Sequence, residues 1–146
     1  MKAAPFEIQQ VLLDINVCID LIVNRSIPSY IKKKLFAVWH QNEIIPYVPA
    51  FSVDTVFYIL NSKMKIDKLE VISLIRILLK YTRLLHSTDE IIHLALATGF
   101  SDFEDGLVNA LAEKKRMDAI ITSNIKDFSK SSLPVYRPVD FVALFE

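Results

Sequence analysis

The sequence alternates short apolar runs with longer amphipathic segments, and this alternation constrains the fold more than any other feature. Five apolar runs have the length of strands: residues 11–13, 43–48, 82–86, 118–122 and 133–136. Between them, apolar residues recur at helical spacing in residues 29–41, 50–62, 67–81, 88–98 and 102–116. Strands that alternate with helices form a parallel sheet covered on both faces. We therefore predict a three-layer α/β/α fold with a parallel sheet of about five strands.

The length and composition indicate one domain that spans residues 1–146. Hydrophobic residues make up 52% of the chain, which is enough for a single core. The only cysteine, Cys18, lies in an apolar stretch, so we expect it to be buried. A chain without a disulfide fits a reducing compartment, and we see neither a secretory signal nor an uninterrupted apolar run of the ~18 residues that a membrane span needs. We expect a cytoplasmic protein.

Local signals predict where several helices begin and which side faces the core. Ser52, Asp67 and either Ser87 or Thr88 are suitable N-caps, and Ser101 with Glu104 has the spacing of a capping box. In the helix over 67–81 we expect the inner face to carry Leu69, Ile72, Ile75, Ile77 and Leu79.

Charge is balanced overall but uneven along the chain. There are 17 basic and 17 acidic residues, of which residues 61–83 hold six basic and two acidic ones, and residues 84–146 hold six basic and ten acidic ones. This asymmetry favours a basic flank beside an acidic centre. Solvated helix faces are the alternative explanation.

Acidic and amide side chains follow the predicted strands at their carboxyl ends. Asp14 ends the first apolar run, Asp102 and Asp105 open a helix, and Asn124 and Asp127 follow the fourth run. Ligands of open parallel sheets bind at this edge, and carboxylates gathered there repel one another unless a cation is present. Oxygen ligands suit Mg²⁺ or Mn²⁺. The alternative is that the acids at 102–105 merely favour the positive end of a helix.

No histidine pattern suggests a softer metal. His40, His86 and His93 lack zinc-like spacing to one another or to a cysteine. We expect them on helix faces or in the core.

Three stretches carry a family resemblance. "LLDINVCID" resembles the D-x-N-V-x-x-D signature that opens PIN-domain nucleases, and "DFEDGLVNALAEKKRMDAIITSNIKDF" resembles their C-terminal block. "SSLPVYRPVDFVALF" is similar to the last strand and closing segment of VapC-like toxins. The likeness is close over residues 11–20 and 101–143 and holds only in outline between them. It implies a PIN-like fold and an Mg²⁺- or Mn²⁺-dependent endoribonuclease that hydrolyses RNA phosphodiester bonds as the toxin of a toxin–antitoxin pair.

The resemblance also implies roles for individual residues. Asp14 and Asp105 match the central metal ligands, Asp102 would be an additional acid, and Asp127 would supply the remaining carboxylate. Three polar residues would act around them: Thr122 by steering substrate or water, Asn124 as an alternative oxygen donor, and Asn16 by tying down the loop around Asp14. We interpret Asp20 as structural or peripheral.

The chain departs from the family pattern at two positions. The family often has a glutamate in the helix after the second strand, whereas this chain has Phe57 at that spacing and offers only Asp54 nearby. Asp54 either reaches the site or simply favours the helix dipole. Gly106 stands where the family usually has alanine.

The resemblance further implies an RNA substrate, a homodimer and a cognate antitoxin. Lys32, Lys33, Lys34 and the basic residues of 61–83 are suited to phosphate contacts, and Trp39, Tyr30 or Phe100 would stack a base if exposed. We expect the helices at 29–41 or 50–62 to form the dimer surface, and an antitoxin Arg or Lys to cover the acids. Two alternatives remain: an inactive PIN-like binding module, and a phosphotransfer domain with Asp14 as phosphoacceptor.

Overall fold

In the computed structural model, which describes residues 7–146, five strands alternate with helices. The strands are β1 Gln10–Leu13, β2 Ile45–Pro49, β3 Arg83–Leu85, β4 Ala119–Ile121 and β5 Val135–Tyr136. The α-helices are α1 Ile15–Ile22, α2 Ser29–Gln41, α3 Ser52–Tyr58, α4 Lys68–Tyr81, α5 Asp89–Leu96, α6 Phe103–Lys114 and α7 Pro138–Ala143. A π-helical segment, Ile59–Lys63, continues α3, and a short 3-10 helix, Ile125–Phe128, follows β4.

The five strands form one parallel sheet in the order β3-β2-β1-β4-β5. The chain first adds strands on one side of β1 and then returns to add β4 and β5 on the other. The direction of the connections therefore reverses between β1 and β4, and the carboxyl ends of these two strands border the crevice in which ligands of such sheets bind. This arrangement confirms the predicted fold class.

Side chains alternate between two apolar layers, one on each face of the sheet. Val11 and Leu13 of β1 join the layer covered by α1 to α4 and α7. Leu12, which lies between them, joins the layer covered by α5 and α6. Because the strands are buried on both sides, their sequences read as continuous apolar runs. The three-layer prediction is confirmed.

Two of the differences between predicted and observed boundaries have a clear cause in the backbone. The helix expected over 50–62 becomes α3 followed by π-helical turns, in which the Met64 amide donates to the Ile59 carbonyl at 2.9 Å. The strand expected to begin at residue 43 begins at Ile45, because Glu43 adopts a left-handed backbone conformation with a φ of 54°. The closing helix α7 was not among the predicted helices.

The structure confirms two of the predicted N-caps. The Asp67 carboxylate accepts the Leu69 amide at 3.1 Å, and the Thr88 hydroxyl, rather than that of Ser87, accepts the Ile91 amide at 3.4 Å. Ser52 is not a cap, because α3 begins at Ser52 itself and the cap position is Phe51.

The inner face of α4 is rotated from the predicted one. Leu69 and Ile77 are exposed, whereas Val71, Ile75 and Leu78 are buried. Of the predicted inner residues, Ile75 is buried and Leu79 is half-buried against the same apolar layer. Cys18 is buried, as predicted. Within residues 7–146, none of the helices has the length and apolar character that crossing a bilayer requires.

Candidate functional site

Asp14 lies directly after β1 and is almost fully buried, with 4% of its surface exposed. Its amide donates to the Ile121 carbonyl at 3.0 Å, which continues the ladder between β1 and β4 by one residue. One carboxylate oxygen accepts the Ile15 amide at 2.8 Å and thereby caps α1. The other accepts the Thr122 hydroxyl at 2.9 Å. Both oxygens are therefore held in fixed positions at the crevice between β1 and β4.

Thr122 is the first residue after β4 and is fully buried. Its amide donates to the Tyr136 carbonyl at 2.9 Å, and its hydroxyl oxygen also accepts the Asn124 amide at 3.2 Å. The sequence prediction gave this hydroxyl a role toward substrate or water. The structure places it on the Asp14 carboxylate instead.

The start of α6 differs from the predicted capping box by one residue. Asp102, not Ser101, is the N-cap, and its carboxylate accepts the Asp105 amide at 3.0 Å. The expected roles of Ser101 and Glu104 as a capping box are therefore wrong. Ser and Asp cap helices about equally well, so the sequence gives no reason to prefer Ser101 or Asp102 as the N-cap. The shift leaves the Glu104 side chain available for other contacts.

Electrostatic effects show that side chains from three segments of the chain lie within reach of one another. Partial burial, followed by the Asp14, Asp102, Asp127 and Glu104 carboxylates, raises the pKa of Asp105 to about 7. Burial also raises the pKa of Asp14, and the charges of Asp127 and Asp102 add to this effect. The four acids that the sequence singled out therefore lie near enough for their charges to influence one another.

Glu104 is a member of this acidic group that the sequence prediction missed. It is half-buried, and its pKa is raised by burial and then by the Asp14 and Asp102 carboxylates. A hydrogen bond from the Thr55 hydroxyl on α3 partly offsets the increase. Glu104 therefore extends the group toward α3.

Three residues with predicted supporting roles have exposed side chains that, within residues 7–146, make no hydrogen bond to the Asp14 carboxylate. Asp54 is exposed and does not appear among the charges that raise the pKa of Asp14, Glu104 or Asp105. Asn16 is exposed, and its carbonyl accepts a hydrogen bond from Arg25 rather than from the loop around Asp14. Asn124 is also exposed and contacts Thr122 through its amide.

Two further features of α6 surround Asp105. Gly106 fits because a Cβ atom there would lie 2.9 Å from the Thr98 hydroxyl and 3.2 Å from the Phe100 Cβ. Asn109, one turn beyond Asp105, is buried, and its Oδ1 atom has no hydrogen-bond partner in the part of the chain that the structure describes. Close packing thus explains the glycine where the family usually has alanine, and the face of α6 that carries Asp105 also carries a buried oxygen donor.

The donor set fits a hard divalent cation. It consists of oxygens, and across residues 7–146 no basic side chain is among the charges that shift the pKa of Asp14, Glu104 or Asp105. As the side chains stand in residues 7–146, however, no three Asp, Glu, His or Cys residues are close enough to hold a metal ion. Coordination would therefore require the carboxylates to draw together.

A separate cavity of about 980 Å³ lies at the opposite edge of the sheet. It borders Ile45 and Pro46 at the start of β2, and Phe36, Trp39 and Tyr81 line it. None of the acids described above contributes to it, so it is distinct from the acidic crevice.

Of the proposed stacking residues, Trp39 is buried and Phe100 packs against Phe128 with ring centroids 6.2 Å apart. Tyr30 is exposed. Only Tyr30 is therefore open to a base as the molecule stands.

Comparison with known proteins supports the fold and the family. A family model described as "PIN domain" matches residues 10–126, a range that includes every acid of the group except Asp127. No curated protein is similar enough in sequence to count as a match.

Several solved structures share the fold at low sequence identity. The structure of VapBC2 from Rickettsia felis bound to a promoter DNA fragment has a TM-score of 0.70 at 17% identity, covering 87% of this chain and 97% of that chain. A toxin–antitoxin complex from Klebsiella pneumoniae has a TM-score of 0.63 at 21% identity, and the match covers 88% of this chain and 97% of that chain. VapC20 from Mycobacterium tuberculosis is described as a sarcin-ricin loop cleaving toxin. It has a TM-score of 0.61 at 13% identity, and the match covers 82% of this chain and 95% of that chain.

Proposed function

Because the chain belongs to the PIN-domain family, whose members are nucleases, we propose that it is a metal-dependent endoribonuclease and the toxin of a toxin–antitoxin pair. The reaction would be hydrolysis of RNA phosphodiester bonds with Mg²⁺ or Mn²⁺ as cofactor. We propose RNA as the substrate class, in line with the similarity in fold to VapC20, which is described as a sarcin-ricin loop cleaving toxin.

One observation carries the proposal: a buried carboxylate, Asp14, is fixed at the crevice between β1 and β4, and other carboxylates lie near enough for their charges to interact with it. Asp14 is held there by Thr122 and by the first turn of α1. The charges of Asp127 and Asp102 raise the pKa of Asp14, and the charge of Asp14 in turn raises the pKa values of Glu104 and Asp105. No basic side chain of residues 7–146 is among the causes of these shifts. Such an arrangement is costly for an empty site and favourable for a cation site.

We assign Asp14 and Asp105 as the central ligands, with Asp102 and Asp127 as further carboxylates. When bound, a divalent ion would neutralise the scissile phosphate and lower the pKa of a coordinated water. The chain's own part is to fix the oxygens: Thr122 orients Asp14, and the Asp102 cap fixes the turn that carries Asp105. No side chain needs to act as a covalent nucleophile.

Glu104 takes the place that we had considered for Asp54. Its half-buried position and its hydrogen bond with Thr55 of α3 put a carboxylate on the side of the crevice where the family often supplies a helix glutamate. We therefore expect Glu104→Gln to weaken both Mn²⁺ binding and cleavage, and Asp54→Asn to change neither. Equal behaviour of the two variants would contradict this assignment.

A cleavage assay with a matched control tests the nuclease. RNA should be cut by the purified protein with Mn²⁺ or Mg²⁺ and left intact with EDTA. Asp105→Asn should abolish cleavage and Mn²⁺ binding, whereas Asp140→Asn, which alters an exposed ion pair with Arg137 on α7, should behave as the unmodified protein. Full metal-dependent activity of Asp105→Asn would overturn the assignment. Absence of both cleavage and metal binding in the unmodified protein would leave the inactive binding module.

The proposed antitoxin would block the acidic crevice with an Arg or Lys side chain. Several structures of similar fold are toxin–antitoxin complexes, and a guanidinium forms strong, bidentate hydrogen bonds with carboxylates. Coexpression with the product of the neighbouring open reading frame should give a complex that does not cleave RNA. Unimpaired cleavage by that complex would contradict the proposal.

A homodimer is the second proposed assembly. Two tyrosines on the helices expected to form its surface, Tyr30 on α2 and Tyr58 on α3, are 62% and 54% exposed. Large exposed aromatic side chains are enriched in protein interfaces. Light scattering should show a dimer, and Tyr30→Lys or Tyr58→Lys should weaken it; a monomer in the unmodified protein would contradict the dimer.

A further inference from the structure

An ion pair between the buried Asp20 and the exposed Arg25 lies on and next to α1, the helix that Asp14 caps, and has no part in the metal site proposed above. Asp20 on α1 has no exposed surface, and one of its oxygens is 2.7 Å from the Nε atom of Arg25. The Ser26 amide adds a longer contact to the same oxygen at 3.4 Å. The second oxygen of Asp20 is buried and has no hydrogen-bond partner among residues 7–146. The pair therefore fixes the direction of the Arg25 side chain from inside the protein.

The same guanidinium lies against the first turn of α1. One terminal amino group of Arg25 is 3.2 Å from the Asn16 carbonyl and 3.5 Å from the Asn16 side-chain oxygen. Asn16 is two residues from Asp14, which caps this helix. The contact places Arg25 at the first turn of α1, the turn that follows Asp14 at the carboxyl edge of the sheet.

Arg25 also keeps donors that the protein does not use. Its second terminal amino group makes no hydrogen bond in the part of the chain that the structure describes, and about a third of the side chain is exposed. A guanidinium has five N–H donors in a planar fork that matches a phosphate. The Nε atom and one terminal amino group of Arg25 are therefore fixed by the protein before a ligand binds, while the other terminal amino group remains open to a ligand.

Two of the three lysines at 32–34 are less suited to this task. The Lys32 ammonium is bound to the Val23 carbonyl at 2.9 Å and to the Asn24 side chain at 3.3 Å. Lys34 pairs with Glu146 at 2.9 Å. Both of these lysines, which we had considered for phosphate contacts, have partners within the protein, whereas Arg25 combines a fixed position with free donors.

We propose that Arg25 binds a phosphate of the RNA strand next to the scissile one, and that Asp20 is the residue that positions it. The inference rests on the proposed function, because a strand running through the acidic crevice would bring a neighbouring phosphate to the first turn of α1. The acids repel the RNA backbone, so a positioned donor group beside them would help to hold the strand while leaving the metal ligands unaltered.

RNA binding, measured without cleavage, tests this role. Fluorescence anisotropy of a labelled single-stranded RNA would be recorded in an Asp105→Asn background, so that the RNA stays intact. We expect Arg25→Gln to weaken binding by about tenfold and to reduce the slope of log K against log salt by about 0.7, the value for one phosphate contact on a single strand. Arg25→Lys should keep most of the salt slope and lose part of the affinity, because the charge remains and the fork does not.

Two further variants separate this role from a structural one. Arg25→Gln leaves Asp20 buried without its partner, so Asp20→Asn combined with Arg25→Gln provides a neutral pair whose fold is checked by circular dichroism. Lys32→Gln removes a nearby cation on α2 whose ammonium is already bound within the protein, and it should leave the affinity and the salt slope unchanged. A folded double variant with unchanged RNA affinity and salt slope would overturn the inference.

The outcome also separates the inference from the proposed nuclease activity. If the unmodified protein cleaves RNA and the Arg25 variants bind it normally, only the role of Arg25 fails. If the unmodified protein does not cleave RNA but Arg25 variants show the reduced salt slope, the nuclease proposal fails and the phosphate contact stands.

Discussion

At the scale of single residues, the hydrogen bond between Thr122 and Asp14 determines the position of the carboxylate on which the site is built. Thr122→Val keeps the size and branching of the side chain and removes the donor. We expect Mn²⁺ affinity to fall by about 10–100-fold, the usual cost of losing a partner that orients a metal ligand. Isothermal titration with Mn²⁺ measures this effect.

Thr122→Ser is the control for that substitution because it keeps the hydroxyl and loses only a methyl group. It should retain most of the Mn²⁺ affinity. If Thr122→Val binds Mn²⁺ as tightly as the unmodified protein does, the hydroxyl does not position a ligand.

Gly106 gives a second prediction at this scale. In a helix interior, alanine is about 1 kcal/mol more favourable than glycine, so Gly106→Ala would normally stabilise the protein. Here the added Cβ would lie 2.9 Å from the Thr98 hydroxyl, which already donates to the Ala95 carbonyl, and 3.2 Å from the Phe100 Cβ. We expect the melting temperature to fall rather than rise. A stabilised Gly106→Ala variant would show that the Thr98–Phe100 loop yields without cost.

At the scale of elements, the sequence predicted the edge of the sheet that carries the acids because that edge follows from alternation alone. Parallel strands place their carboxyl ends together, so Asp14, Thr122 and Asp127 had to meet there. The contact between Glu104 and Thr55 was not predictable in the same way. It depends on a one-residue choice of cap and on how α3 and α6 approach each other, which neither segment encodes locally.

The inner face of α4 shows a related limit. The helix has apolar residues around most of its circumference, so several rotations satisfy the helical period equally well. Packing against the layer that includes Val56 and Leu60 selects Val71, Ile75 and Leu78. Leu69, in the first turn, remains 75% exposed. The existence of the helix was predictable, but its rotation depends on tertiary contacts.

Two helix caps provide a matched test of the acidic site. Asp67 and Asp102 both cap a helix through a carboxylate oxygen, but only Asp102 is among the charges that raise the pKa of Asp14 and Asp105. Asparagine caps helices about as well as aspartate, so both Asp→Asn variants should lose little stability. We expect Asp102→Asn to weaken Mn²⁺ binding and Asp67→Asn to leave it unchanged. Equal Mn²⁺ affinities in the two variants would remove Asp102 from the site.

At the scale of the whole molecule, the fold disperses charges that are adjacent in sequence. The basic stretch 61–83 includes all of α4, and Lys68 and Lys80 are separated by about 18 Å along that helix. Only Thr82 separates α4 from β3, so the end of α4 with Lys80 lies at the amino edge of the sheet, opposite the acidic crevice. The stretch therefore does not form one basic flank, whereas acids from distant parts of the sequence do gather.

The gathered acids make the stability of the metal-free protein depend on pH. An aspartate titrates near 3.8 in the unfolded chain, whereas the folded state raises the pKa of Asp105 to about 7 and raises those of Asp14 and Glu104 as well. Between about pH 4 and pH 7 the folded state therefore binds more protons than the unfolded state, so the free energy of unfolding attributable to these groups falls as the pH rises. Below about pH 4 these carboxyl groups are protonated in both the folded and the unfolded state, so they no longer reduce the free energy of unfolding.

A divalent ion should reverse this trend, because it binds the folded state and requires deprotonated carboxylates. At about a hundredfold excess over the dissociation constant, Mn²⁺ should add about 2.7 kcal/mol to the free energy of unfolding, and the gain should shrink as the pH approaches 4. Thermal melts with EDTA and with Mn²⁺ across this range measure both effects. Asp105→Asn removes one repelled charge, so its melting temperature with EDTA should depend less on pH. Because this variant should not bind Mn²⁺, its melting temperature should not rise when Mn²⁺ is added. An unmodified protein whose melting temperature is indifferent to Mn²⁺ at neutral pH would show that the gathered carboxylates do not form a metal site.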